Sequence, residues 1–228
     1  MIAVMTLPTF IEHVLAPHAP ESLHRDCWLR KVHHRGSAYL PQIDEALSVV
    51  ERESQLDALT ARGRRQHPTH DREKDARFVD VVSECCGFAF AADVLGRSLQ
   101  LSDDDGNPDF VGVGLSPGEA KSIHPPANRP NQTFASGTVS QVLSPGLARK
   151  VDQHMAKANK QLAGHMGCGQ GFVFINVLQF GSLLEDAFHD ELMHAMKELV
   201  RARLPTFGAI ETVGLCWNFK WRQATVVS

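Results

Sequence analysis

Asp109, Glu119 and Lys121 stand close together in an apolar, glycine-rich stretch, "NPDFVGVGLSPGEAKSI" at 107–123. Glu119 and Lys121 are two residues apart. On a strand their side chains leave from one face, while Ala120 points to the other. Asp109 opens a preceding strand after Pro108, and a tight turn near Ser116–Gly118 is expected to bring it beside them. Two neighbouring carboxylates repel, and a divalent cation relieves that repulsion. Hard oxygen ligands, with waters completing the shell, suit Mg²⁺ or Mn²⁺. A lysine beside such a cation can orient or deprotonate a water, or stabilise charge building on a phosphate. A solvent-facing hairpin with an ordinary Glu–Lys pair is the alternative.

The elements that would position these residues can be read on either side. "DARFVDVVSECCGFAFAADVL" predicts a helix over 75–95, closed by Gly96. It is apolar on nearly every side, which places it against a sheet. Glu84 lies in its middle, and a carboxylate there needs a partner. Then the period changes: "RSLQLS", "PDFVGVG" and "EAKSI" read as three short strands joined by tight turns, an antiparallel meander. A helix at about 144–162 and the buried strand "GFVFINVLQF" follow, and this crossover predicts a parallel pair. "SLLEDAFHDELMHAMKELVRARL" reads as an amphipathic helix with a capping box of Ser182 and Glu185. "GAIETVGLCWNFKW" reads as a last strand. Upstream, a short helix is expected at Leu7–Leu15, and another from Pro41 to a glycine stop at Gly63.

The fold class is therefore α/β, a mixed central sheet flanked by helices. Residues 1–70 form an N-terminal helical extension and 71–228 the core, packed as one domain in a chain of 228 residues.

"PD" at 108–109 followed by "EAK" at 119–121 resembles the signature of the PD-(D/E)XK, restriction-endonuclease-like nucleases. The helix before and the helix–strand pair after resemble that superfamily's αβββαβ core over roughly residues 75–180. The resemblance implies that Asp109 and Glu119 bind Mg²⁺ or Mn²⁺ with help from the Ala120 carbonyl. It implies that Lys121 orients the attacking water and that Glu84 is an accessory acid at the metal. The function it implies is hydrolysis of DNA phosphodiester bonds, with a homodimer supplying two sites for duplex cleavage. The alternative is a catalytically inactive member that binds DNA or a protein partner. The Gln-xxx-Tyr element of recombination-type members has no clear match, the one tyrosine being Tyr39.

Net charge is −3, so no global basic excess advertises nucleic acid. Arg25, Arg30, Lys31, Arg35, Arg62, Arg64, Arg65, Arg72, Lys74 and Arg77 nevertheless crowd the first third, and a local basic surface can track phosphates. Arg62, Arg64 and Arg65 are the candidates for gripping the backbone. On the helix near 144–162, Gln153, Lys157 and Lys160 share one face and are further candidates, although a solvated helix face is the commoner explanation of such a pattern. "HRDCWLRKVHHRG" at 24–36 reads as a loop or a basic arm with Trp28 for stacking. His165 and Cys168 lack two further ligands at zinc-like spacing.

No run of about 18 apolar residues exists, so no membrane helix is expected. The opening residues lack a basic n-region, and no cleaved signal peptide is expected. The five cysteines are odd in number and form no CxxC. That pattern suits reduced thiols in the cytoplasm. No GxGxxG, GxxxxGK[ST] or GxSxG occurs, which leaves a phosphate-loop nucleotide site or a serine hydrolase without support.

Overall fold

The computed structural model describes residues 5–15, 40–66, 72–102, 107–112, 115–124, 145–165, 170–178 and 185–228. The basic stretch 24–36, Cys27, Cys168, Tyr39, Ser182 and most of the proline-rich segment after His124 lie outside the described residues. The side chains of Arg72 and Lys74 lie outside them as well.

Helices α1 (Leu7–Leu15), α2 (Leu40–Arg52), α3 (Leu56–Arg65) and α4 (Arg72–Asp93) come first. Strands β1 (Gln100–Leu101), β2 (Phe110–Gly112) and β3 (Leu115–Ile123) follow. Helix α5 (Pro145–Ala163), strand β4 (Gly171–Val177), helix α6 (Glu185–Arg203), strand β5 (Ile210–Trp217) and strand β6 (Thr225–Val227) complete the order. All six strands form one sheet in chain order. The β1–β2, β2–β3 and β5–β6 pairs are antiparallel, and β3–β4 and β4–β5 are parallel. The expected meander and the expected parallel crossover are both present.

The sheet divides two apolar clusters by the alternation of its strands. Phe172 and Phe174 of β4 join a cluster with α1 to α4, whereas Val173, Ile175 and Val177 join one with α5 and α6. Every residue of β4 is buried, as expected of a strand covered on both faces. Helix α4 is apolar all round because it lies between the sheet and α2. It ends as its sequence indicates: Gly96 takes φ +64°, and Arg97 N–H donates to Ala91 O at 2.9 Å.

Three expectations are corrected. The helix expected over 41–63 is broken into α2 and α3 at Ser54, a non-glycine residue at φ 58°. The break is held by Ser54 N–H donating to Glu51 O and Gln55 N–H donating to Val50 O. Gly63 is no stop. It is buried inside α3, where a Cβ would lie 2.7 Å from Val14 Cγ2, so it permits the close approach of α1. "LSPG" belongs to β3 rather than to a turn. Pro117 falls where the β2–β3 register shifts, the place in a ladder that tolerates a residue without an N–H. A short sixth strand, after a 3-10 turn at Trp221–Gln223, closes the sheet.

That C-terminal turn is tied to the opposite end of the chain. Asn218 and Phe219 adopt φ 45° and 65°, and buried Asn176 accepts the Phe219 N–H at 3.2 Å. Trp221 is fully buried, and its Nε1–H donates to Gln42 O at 3.0 Å. No helix among the described residues is long and apolar enough to cross a membrane. Cys85, Cys86 and Cys216 are buried free thiols.

Candidate active site

Phe110 anchors the start of β2. It pairs with Gly118 across the ladder, stacks on Phe172 at 5.7 Å and meets Phe88 edge-on at 6.2 Å. Asp109 therefore emerges at a fixed point, just before β2 begins. Among the described residues, the edge of β3 beyond Gly118 has no strand partner on that side. The Asp109 side chain fills the gap, its Oδ2 accepting the Ala120 N–H at 2.9 Å. The N–H and carbonyl of one strand residue face the same neighbour. The Ala120 carbonyl thus faces the Asp109 edge.

Glu119 and Lys121 leave β3 on the side of Ile123, toward α5. The Glu119 side chain is 0% exposed and that of Lys121 only 11%. Lys121 Nζ donates to Glu119 Oε2 and stands 3.9 Å from Asp109 Oδ2. Glu119 Oε1 is buried and meets no donor among the described residues. Its neighbour is another acceptor, the Asp109 carboxylate, so only a proton or a cation can be shared between them.

Glu84 reaches the site from the middle of α4, but its partner is Arg62 of α3. Arg62 Nη1 donates to Glu84 Oε2 and lies 3.5 Å from Asp109 Oδ1. Its Nε donates to Ser102 O at 3.0 Å, and Nη2 donates to the same carbonyl. The expectation that Arg62 grips phosphate alongside Arg64 and Arg65 is corrected: it is 11% exposed and turned inward. Arg64 and Arg65 remain on the surface, with Arg64 donating to His13 O at 3.0 Å.

Burial, reinforced by the Asp109 charge, pushes the Glu119 carboxyl up to about 9 against the pull of Lys121. Burial and Asp109 likewise push Glu84 up to about 7 against the pull of Arg62. One further residue belongs to this field. Burial, then the charges of Lys121 and Lys157, hold the His154 imidazole down to about 4. Residue types and motifs do not point to His154. Its one signal is helical spacing: it follows Val151 by three and precedes Ala158 by four, on the flank of the buried stripe of α5. The sequence candidates Gln153, Lys157 and Lys160 are exposed on α5, and of these Lys157 is near enough for its charge to act on His154. Beyond His154, at the end of β3, His124 Nε2 pairs with Asp80 Oδ1 at 2.7 Å, and Lys150 Nζ donates to His124 O at 2.9 Å.

Asp109 and Glu119 suit a hard divalent cation: two carboxylates, one with an orphaned buried oxygen, and a backbone carbonyl facing the same edge. Three or more acidic, His or Cys side chains do not converge into a ready metal cage among the described residues. Searches of family models, characterised proteins and solved structures find no match to this chain.

Proposed function

We propose that the chain is a metal-dependent phosphodiesterase that hydrolyses DNA, with Asp109, Glu119 and Lys121 at its centre. The observation that carries this reading is the buried Glu119 Oε1, without a hydrogen-bond partner among the described residues, beside the Asp109 carboxylate, with Lys121 close to both groups. A neutral structural ion pair would not bring a second carboxylate to the same place.

Asp109 and Glu119 would hold Mg²⁺ or Mn²⁺, with the Ala120 carbonyl as a third protein oxygen. The bound ion supplies Lewis-acid polarisation of a phosphoryl oxygen and a water of lowered pKa. The protein's own part is to present two oxygens at a fixed edge and to give up the proton held by Glu119. Lys121, close to both carboxyl groups, would present its ammonium to the phosphate or the attacking water. His154, Lys150 and Lys157 line the α5 side with positive charge and hydrogen-bond donors, a lining suited to phosphates flanking the scissile one. A homodimer would place two such sites on a duplex.

The test is nicking of supercoiled plasmid with Mg²⁺ or Mn²⁺, in parallel with calorimetric titration of each ion. The parent is expected to bind the ion and nick DNA, and Asp109→Asn and Glu119→Gln to lose both. A parent that binds neither ion, with or without DNA, overturns the reading. A parent that binds the ion but cleaves neither DNA nor RNA leaves a catalytically inactive binding module in its place.

A further inference from the structure

Resting on the reading of Asp109 and Glu119 as cation ligands, we infer that the site takes one divalent cation per chain. Arg62 occupies the place that a second ion would need.

The two oxygens of Asp109 are already divided between two neighbourhoods. Oδ2 faces the Ala120 N–H and Lys121, on the Glu119 side. Oδ1 faces Arg62 Nη1 at 3.5 Å, and the same nitrogen donates to Glu84 Oε2. A carboxylate that bridges two metals uses one oxygen for each. Here the second oxygen and the outer carboxylate, Glu84, converge on a guanidinium. Glu84 therefore acts on the ion only through Arg62, as a positioning residue.

Arg62 cannot vacate this place by titration, since a guanidinium stays charged at any working pH. Nor is it free to swing away. Nε and Nη2 are both held by the Ser102 carbonyl, and the side chain is 11% exposed. The next residue, Gly63, is packed so tightly on Val14 that a Cβ would meet it at 2.7 Å, which fixes the backbone of α3 at this point.

Charge counting agrees. Glu84, Asp109 and Glu119, once ionised, face two fixed cations, Arg62 and Lys121. One net negative charge remains. A single divalent ion leaves the site modestly positive, matched to one phosphodiester. A second ion would add two more positive charges beside a guanidinium and an ammonium, at short range and out of bulk water.

The test counts Mn²⁺ on the full chain by calorimetry and by electron paramagnetic resonance, without DNA. One ion per chain is expected, with an isolated six-line spectrum, lost in Asp109→Asn. Glu84→Gln should keep one ion with the same spectrum, its affinity reduced by about tenfold, as for loss of an outer-sphere partner. Arg62→Gln opens the second position and should bind two ions, with the broadened spectrum of a coupled pair. Two ions in the parent, falling to one in Glu84→Gln, would overturn the inference and leave the proposed nuclease function standing. No ion in the parent would overturn both. An Arg62→Gln variant that melts cooperatively but still binds one ion would overturn the role given to Arg62. If that variant does not fold, the counts for the parent and Glu84→Gln still decide the stoichiometry.

Discussion

Replacing Glu119 with Gln should make the metal-free protein more stable at neutral pH. Glu119 has a folded pKa pushed up to about 9 by burial and by Asp109, against an ordinary 4.5. A raised folded pKa means that the folded state holds a proton the unfolded chain has released. The stability this group contributes is complete below pH 4.5 and is lost as pH rises toward 9. Each pH unit across that window costs about 1.4 kcal/mol, so at pH 7 the parent has lost on the order of 3 kcal/mol. Glutamine has the shape of the protonated acid and no proton to hold. Urea melts in EDTA from pH 4 to 9 should show the two proteins level near pH 4.5 and diverging above it, the variant ahead by about 3 kcal/mol at pH 7. Taking the difference at each pH cancels His154. That group acts in the opposite sense, its folded pKa of about 4 removing stability as pH falls from 6.5. Saturating Mn²⁺ should restore the parent, by about 2.7 kcal/mol at a hundredfold excess over Kd, and leave the variant unmoved. A variant less stable than the parent at pH 7 in EDTA, or a difference that does not change with pH, would refute the account of a buried carboxylate awaiting a cation.

Lys121→Ala should keep one Mn²⁺ per chain yet nick plasmid about a hundredfold to a thousandfold more slowly, the usual loss for one charge-stabilising group; cleavage at the parental rate removes Lys121 from the chemistry. DNA affinity should fall steeply with salt, and Lys157→Gln with Lys160→Gln should flatten the logarithmic slope by about 0.9 for each phosphate no longer neutralised. The same pair of changes at Arg64 and Arg65 tests the α3 surface, and whichever pair leaves the slope unchanged lies off the DNA. Gly118→Ala should lower stability by about 1–3 kcal/mol or more through overpacking, because its Cβ would lie 2.1 Å from Phe172 Cε1; an unchanged denaturation midpoint would show that Phe172 can yield.

The parts of this structure that could be read from sequence are those where a local signal and a long-range consequence coincide. The alternation of Glu119, Ala120 and Lys121 needs only a strand to place two charges on one face, and the β3–β4 register supplies it. Gly96 ends α4 because a left-handed residue there is cheap for glycine and for little else. The misreadings have the opposite character. Gly63 carries the same letter as Gly96 but serves packing on Val14, a neighbour 49 residues away in sequence that no local pattern encodes. Ser54 breaks a helix without any of the usual punctuation. Arg62 sits in a basic run with Arg64 and Arg65 and shares their composition. What separates it is the helical turn that aims it at Glu84 and Ser102. His154 is a lone histidine on an amphipathic helix, and only the positions of Lys121 and Lys157 give it meaning.

The hydrogen bond from Trp221 to Gln42 has a consequence for how the chain is made. The two residues are 179 apart in sequence. At roughly 5–20 residues per second, a ribosome needs on the order of ten to forty seconds to cover that distance. Throughout that interval α2 has been synthesised, but the indole that hydrogen-bonds its first turn and the Phe172 and Phe174 rings that cover α4 have not all emerged. An emerging chain would carry Phe88 and Phe90 uncovered for much of its synthesis. Ribosome-bound intermediates stalled before residue 221 should therefore recruit chaperones that the released, folded chain does not.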